Sequence, residues 1–112
     1  MGKSRKPQKT EEAAGSEATA TGWTISVKKK VDKELSKLPV KVRELVALLL
    51  KDIELGGPVR GDWPNYSKLG GDKHHCHIKD GRPSYVACWE VTDKTVRIVE
   101  VYYVGTRENA PY

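Results

Sequence analysis

Three runs of alternating apolar and polar residues, His74 to Lys79, Ser84 to Val91 and Thr95 to Val104, are separated only by Asp80-Gly81-Arg82-Pro83 and Thr92-Asp93-Lys94. Both connections carry turn residues and are too short for a crossover, so the three runs read as an antiparallel meander. Pairing then fixes faces. With Asp80 to Pro83 as the hairpin loop, Lys79 opposes Ser84, His77 opposes Val86 and His75 opposes Cys88. Strand alternation sends Cys76, Ile78, Tyr85, Ala87, Trp89 and Val91 to one face. His75, His77, Lys79, Val86, Cys88 and Glu90 go to the other. The register of Thr95 to Val104 is ambiguous, but an unpaired carboxylate in a core is costly, which puts Glu100 and Tyr102 on the second face, close to the imidazoles.

The preceding residues supply a cover for the first face. Trp23, Ile25 and Val27 alternate with polar residues as a short, half-buried strand. Val27, Val31, Leu35 and Leu38 recur at helical spacing up to a break at Pro39. Val42, Leu45, Val46, Leu49 and Ile53 form the stripe of a second helix, widened by Leu48 and Leu50 and stopped by Gly56-Gly57. Residues 56–65 are punctuated as a loop, a short strand follows near Tyr66 to Leu69, and Gly70-Gly71-Asp72 turns the chain. Helices segregated from strands predict an α+β fold: an N-terminal strand and helical hairpin packed on one face of a small antiparallel β-sheet. Met1 to Gly22 has no large apolar residue after Met1 and is expected to be a disordered tail, leaving one domain over 23–112.

The formal charge of +5 favours an anionic partner. Its distribution weakens that inference for the sheet: the excess sits mainly between Lys28 and Glu54, with eight basic and five acidic residues, while the strand-rich half is nearly balanced. No apolar run is long enough to span a bilayer and the N-terminus lacks an apolar secretion signal, so a cytoplasmic protein with no membrane partner is expected. Two cysteines are too few for a disulfide framework, and Cys76 and Cys88, on opposite faces, cannot bridge.

The second face holds candidate chemistry. Cleaving an RNA phosphodiester takes a base for the 2′-hydroxyl proton, an acid for the leaving oxygen and cations for the phosphorane charge. His75, His77, Lys79, Arg82, Arg107 and Tyr112 are the groups able to divide those tasks, with Arg gripping phosphate and the phenol stacking on a base or passing a proton. The bland alternative is an ordinary polar sheet face. A zinc site at His75, His77 and Cys88 is a weaker one, because the spacing matches no closed four-ligand pattern. The Gly-Gly pairs fit neither a P-loop nor a dinucleotide fingerprint, and no cofactor is expected.

Over Trp23 to Tyr112 the chain resembles the RelE/ParE superfamily of bacterial toxins, and within it the RelE-like and HigB-like branch. The resemblance rests on Leu35-Ser36-Lys37-Leu38-Pro39 between the helices, Lys68-Leu69-Gly70-Gly71 before the central strand, Ser84-Tyr85-Val86-Ala87-Cys88-Trp89-Glu90-Val91, and Val104-Gly105-Thr106-Arg107 followed by Tyr112. It implies the same architecture. It also implies a toxin of a type II toxin-antitoxin system, a metal-independent endoribonuclease (a hydrolase) that cuts mRNA in the ribosomal A site and inhibits translation. The partners it implies are a cognate antitoxin protein and the ribosome, through mRNA and 16S rRNA contacts. Residue by residue, His75 and His77 stand where RelE-like enzymes carry two basic residues, with Lys79 next along. Arg107 matches the family's late arginine, and Tyr112 its base-stacking tyrosine. The family's arginine in the following strand falls at Val86, and Arg82 at the hairpin turn is its candidate replacement. Histidine in place of lysine predicts activity that depends on pH near neutrality. The rivals are a ParE-like inhibitor of DNA gyrase, which shares the fold, and a non-catalytic RNA- or ribosome-binding module.

Overall fold

The computed structural model describes residues 22–112, so the expected tail lies outside the described residues apart from Gly22. The elements run β1 (Thr24–Val27), α1 (Lys29–Leu35), α2 (Val40–Gly56), β2 (Ser67–Gly70), β3 (Lys73–Lys79), β4 (Tyr85–Asp93) and β5 (Ile98–Thr106), then a 3-10 turn at Arg107–Asn109. They build an α+β fold with one five-stranded sheet in the order β1-β5-β4-β3-β2. Strands β2 to β5 form the antiparallel meander. The sheet as a whole is mixed, because β1 lies parallel to β5, with Thr24 opposite Ile98 and Val27 opposite Val101. Alternation assigns the faces of a strand but not its neighbours or their direction, which is why the parallel edge could not be anticipated.

Val27 belongs to β1 and not to the first helical turn, since Lys28 is extended at φ −59°, ψ 143°. Pro39 is the N-cap of α2, where its missing N–H leaves no helical bond unmade. Val42, Val46, Leu49 and Ile53 of α2 are buried, and Leu45 and Leu50 pack against the same core. Leu48, expected to widen this stripe, is 54% exposed. The helix stops at Gly57, whose φ of 98° favours glycine and whose N–H donates to the Ile53 carbonyl at 2.8 Å.

The sheet answers with Cys76, Ile78, Ala87, Trp89, Val99, Val101 and Val104. Large apolar side chains of this kind each contribute about 1.5–3 kcal/mol when fully buried. Trp89 is the largest of them, and its indole N–H donates to the Pro58 carbonyl at 2.9 Å, so the loop after α2 is tied to the core. One face of the indole stacks on His74, with centroids 6.0 Å apart and planes 8° apart, and the Tyr66 hydroxyl lies 2.7 Å from His74 Nδ1.

The expected pairings of His75 with Cys88 and His77 with Val86 are present. A bulge follows, and Lys79 opposes Tyr85 instead of Ser84. Another irregularity separates Cys88, opposite Tyr103, from Trp89, opposite Val101. The extra residue lets Val99, Val101 and Val104 all join the core while Tyr102 stays on the face away from the helices, hydrogen-bonded to Cys88. Among the described residues no helix is long and apolar enough to cross a membrane.

Candidate active site

The sheet face away from the helices is not bare. Val86 and Cys88 are fully buried, yet neither belongs to the helix-side core, because the chain after β5 folds back towards them. The Arg107 N–H donates to the Ser84 carbonyl at 2.9 Å and carries the β4–β5 pairing past Thr106. The Ala110 N–H donates to the Arg107 carbonyl at 3.2 Å and closes the turn. That return brings the Tyr112 ring onto His75, with centroids 4.5 Å apart and planes inclined by 50°. The Arg107 guanidinium lies beside the Tyr112 hydroxyl. Burial pushes the phenol's pKa up, opposed by the Arg107 charge, so at neutral pH it is a phenol and not a phenolate.

His75 is 8% exposed. Burial lowers its pKa below the ordinary histidine value, a carbonyl hydrogen bond from Ser67 works the other way, and His77 adds to the lowering. Ser67, opposite His75 on β2, also places its hydroxyl 3.0 Å from Nδ1. With the Ser67 hydroxyl oxygen accepting the Nδ1 hydrogen, Nε2 of the neutral ring keeps its lone pair. The His77 ring lies 6.2 Å from that of His75, edge to face. Its Nδ1 meets Asp80 Oδ1 at 2.8 Å and the Asn65 side-chain amide at 3.1 Å.

Four of the six sequence candidates therefore converge: His75, His77, Arg107 and Tyr112. Lys79 and Arg82 are exposed near and in the hairpin loop, and among the described residues neither is hydrogen-bonded or ion-paired to those four. Val86 is buried opposite His77 where the family pattern expects a cation. The carboxylate expected beside the imidazoles is also different. Glu100 lies opposite Glu90 and pairs with Lys28 at 3.8 Å, whereas the carboxylate touching an imidazole is Asp80. Asn65, Ser67 and Asp80 were missed from sequence. Asp80, three residues after His77, reads as a turn former until the bulge draws it back.

The Cys88 thiol is pushed up to about 12 by burial, against a hydrogen bond with Tyr102 that lowers it, so it is a poor source of a metal-binding thiolate. Among the described residues no three His, Cys, Asp or Glu side chains are grouped to hold a metal.

No family model matches the sequence, and no curated protein matches it. Solved structures do. The isolated Escherichia coli RelE toxin is 25% identical over 80% of this chain and 88% of its own, with a TM-score of 0.59. The archaeal RelE-RelB complex from Pyrococcus horikoshii OT3 is 16% identical over 80% of this chain and 100% of its own, with a TM-score of 0.60. The intact E. coli RelBE toxin-antitoxin complex is 24% identical over 74% of this chain and 94% of its own, with a TM-score of 0.55. With two helices on one face of a five-stranded sheet, the chain has the fold of the RelE-like toxin superfamily.

Proposed function

We propose that this chain is the toxin of a type II toxin-antitoxin pair and that it cuts mRNA in the ribosomal A site, arresting translation. The observation that carries this reading is the packing of Tyr112 on His75 with Arg107 on the Tyr112 hydroxyl, which gathers an acid–base group, a stacking ring and a phosphate-gripping cation. His75, kept neutral by burial, takes the 2′-hydroxyl proton; the 2′-oxygen attacks phosphorus and the bond to the 5′-oxygen breaks. His77 protonates that leaving oxygen. Arg107 holds the charge of the phosphorane, and Tyr112 stacks on the flanking base. Lys79 and Arg82, exposed at the hairpin end, add phosphate contacts outside this centre. The ribosome supplies orientation, worth several kcal/mol in a reaction of this type, so a small domain with few charged groups suffices.

The partner in the cell is a cognate antitoxin; likeness to structures solved as RelE-RelB and toxin-antitoxin complexes supports this. The buried Val86 favours two non-catalytic rivals, a ParE-like inhibitor of DNA gyrase and a module that binds RNA or the ribosome without cutting. Mapping 5′ ends of cellular mRNAs after brief induction decides between them. In-frame ends within coding sequences, lost in the Arg107→Ala and Tyr112→Ala variants together with growth arrest, are the expected result. DNA damage with intact mRNA, or full toxicity of both variants, overturns the reading.

A further inference from the structure

His77 is held at one nitrogen from two independent loops. Asn65 precedes β2 with its backbone in the left-handed region, φ 52°, a conformation that asparagine adopts more readily than other non-glycine residues. Its side-chain amide meets His77 Nδ1, and the carbonyl of its neighbour Pro64 accepts the His77 backbone N–H at 2.8 Å. From the other side, the bulge between His77 and Lys79 brings the Asp80 carboxylate to the same nitrogen. A carboxylate only accepts, so Nδ1 carries the hydrogen in that contact. The Asn65 amide then serves the N–H with its oxygen, and its heavy-atom outline is the same in either orientation. Nε2 has no hydrogen-bond partner among the described residues, and the side chain is only 12% exposed. Two side chains thus fix both the hydrogen and the plane of one imidazole, and they leave the opposite nitrogen available.

We propose that Asp80 and Asn65 are positioning residues that hold His77 with Nε2 presented to the leaving oxygen, making His77 the general acid of the cleavage. This rests on the nuclease reading above. In the imidazolium form the Asp80 carboxylate is the counterion behind the ring while Nε2–H faces the substrate. As the phosphorus–oxygen bond to the 5′-oxygen breaks, that hydrogen passes to the oxygen. The products are a 2′,3′-cyclic phosphate and a free 5′-hydroxyl, and the ring is left neutral with its remaining hydrogen on Nδ1, still shared with Asp80. The proton that His75 takes from the 2′-hydroxyl balances the step, so no water or cofactor is consumed. His75 cannot exchange roles freely with His77, since Ser67 and not a carboxylate stands behind it.

The test measures single-turnover cleavage on programmed ribosomes by the full chain and its Asp80→Asn, Asp80→Glu and Asn65→Ala variants, with ribosome affinity and the 15N signals of the His77 ring recorded in parallel. Asp80→Asn is expected to slow the cleavage step by roughly tenfold to a hundredfold at unchanged affinity. Asp80→Glu restores most of that loss. In wild type the 15N signals report Nδ1–H for the neutral ring, and Asp80→Asn and Asn65→Ala shift the tautomer balance. Wild-type cutting with Asp80→Asn equally fast, or a loss confined to ribosome affinity, overturns the positioning role and leaves the nuclease reading standing. A folded wild type that cuts nothing removes both, and an Nε2–H tautomer in wild type removes the positioning role alone.

Discussion

At Tyr112 one side chain serves two neighbours, its ring covering His75 and its hydroxyl engaged by Arg107. Trimming it stepwise separates the two contributions. Tyr112→Phe keeps the stacking surface and frees the guanidinium, so cleavage is expected to fall by no more than about tenfold, the scale of one lost hydrogen bond. Tyr112→Ala removes the surface as well, and a lost base stack adds about 1–3 kcal/mol. Single-turnover rates and ribosome affinities of both variants check this order; equal losses would show that the ring contributes nothing. The environment of His75 sets the pH response. Its pKa is lowered, chiefly by burial, so the fraction competent as a base rises with pH and saturates early. The acid limb of kcat/KM is therefore expected to have its midpoint below about 6.5, the ordinary histidine value. A midpoint well above that excludes His75 as the base.

Elements are held by local features that differ in how far sequence reveals them. The β3–β4 hairpin was legible because a loop of four residues leaves few pairings, and alternation then fixes which side chains share a face. The bulges were not legible, since an inserted residue satisfies the same apolar pattern with or without it, and Lys79 and Asp80 move accordingly. For the same reason the convergence of His75 with Arg107 and Tyr112 rested on resemblance and not on periodicity: no local pattern tells a chain leaving β5 to turn back at Arg107–Asn109. Asn65 was invisible for a different cause: asparagine marks a turn, but nothing local says that its side chain reaches His77 twelve residues on. The end of α2 was readable, as Gly56-Gly57 names its own geometry. Gly57 has φ 98° and ψ 179°, a region open almost only to glycine, and a Cβ there would lie 3.2 Å from the Trp23 indole nitrogen. Gly57→Ala is expected to cost about 1–3 kcal/mol, read as a lower urea midpoint at unchanged m-value. An unchanged midpoint would mean that the helix end and Trp23 shift without cost.

For the molecule as a whole, the ring cluster of Tyr66, His74 and Trp89 is expected to make stability depend on pH. His74 is 2% exposed, stacked on the indole and hydrogen-bonded to the Tyr66 hydroxyl. Burial lowers its pKa, the Lys68 charge lowers it further, and Asp72 opposes both. In the unfolded chain the same ring takes up a proton near the ordinary value of about 6.5. Between the lowered folded pKa and that value the unfolded state binds more protons, so unfolding free energy rises with pH through this window. The stabilisation is fully present above about pH 6.5 and is lost as pH falls through the folded pKa, at no more than about 1.4 kcal/mol per pH unit for one proton. His75, shifted in the same direction, adds to the slope. Denaturant midpoints measured from pH 7.5 down to 5 should therefore fall, and His74→Asn, which keeps a polar atom near Nδ1 but cannot titrate, should flatten the curve while lowering its plateau. If the variant keeps the full slope, the acid sensitivity of the fold comes from elsewhere and the ring cluster is a packing device alone. If the slope falls to the part that His75 contributes, one buried imidazole makes the core on one face of the sheet respond to acid in the same direction as His75 on the other.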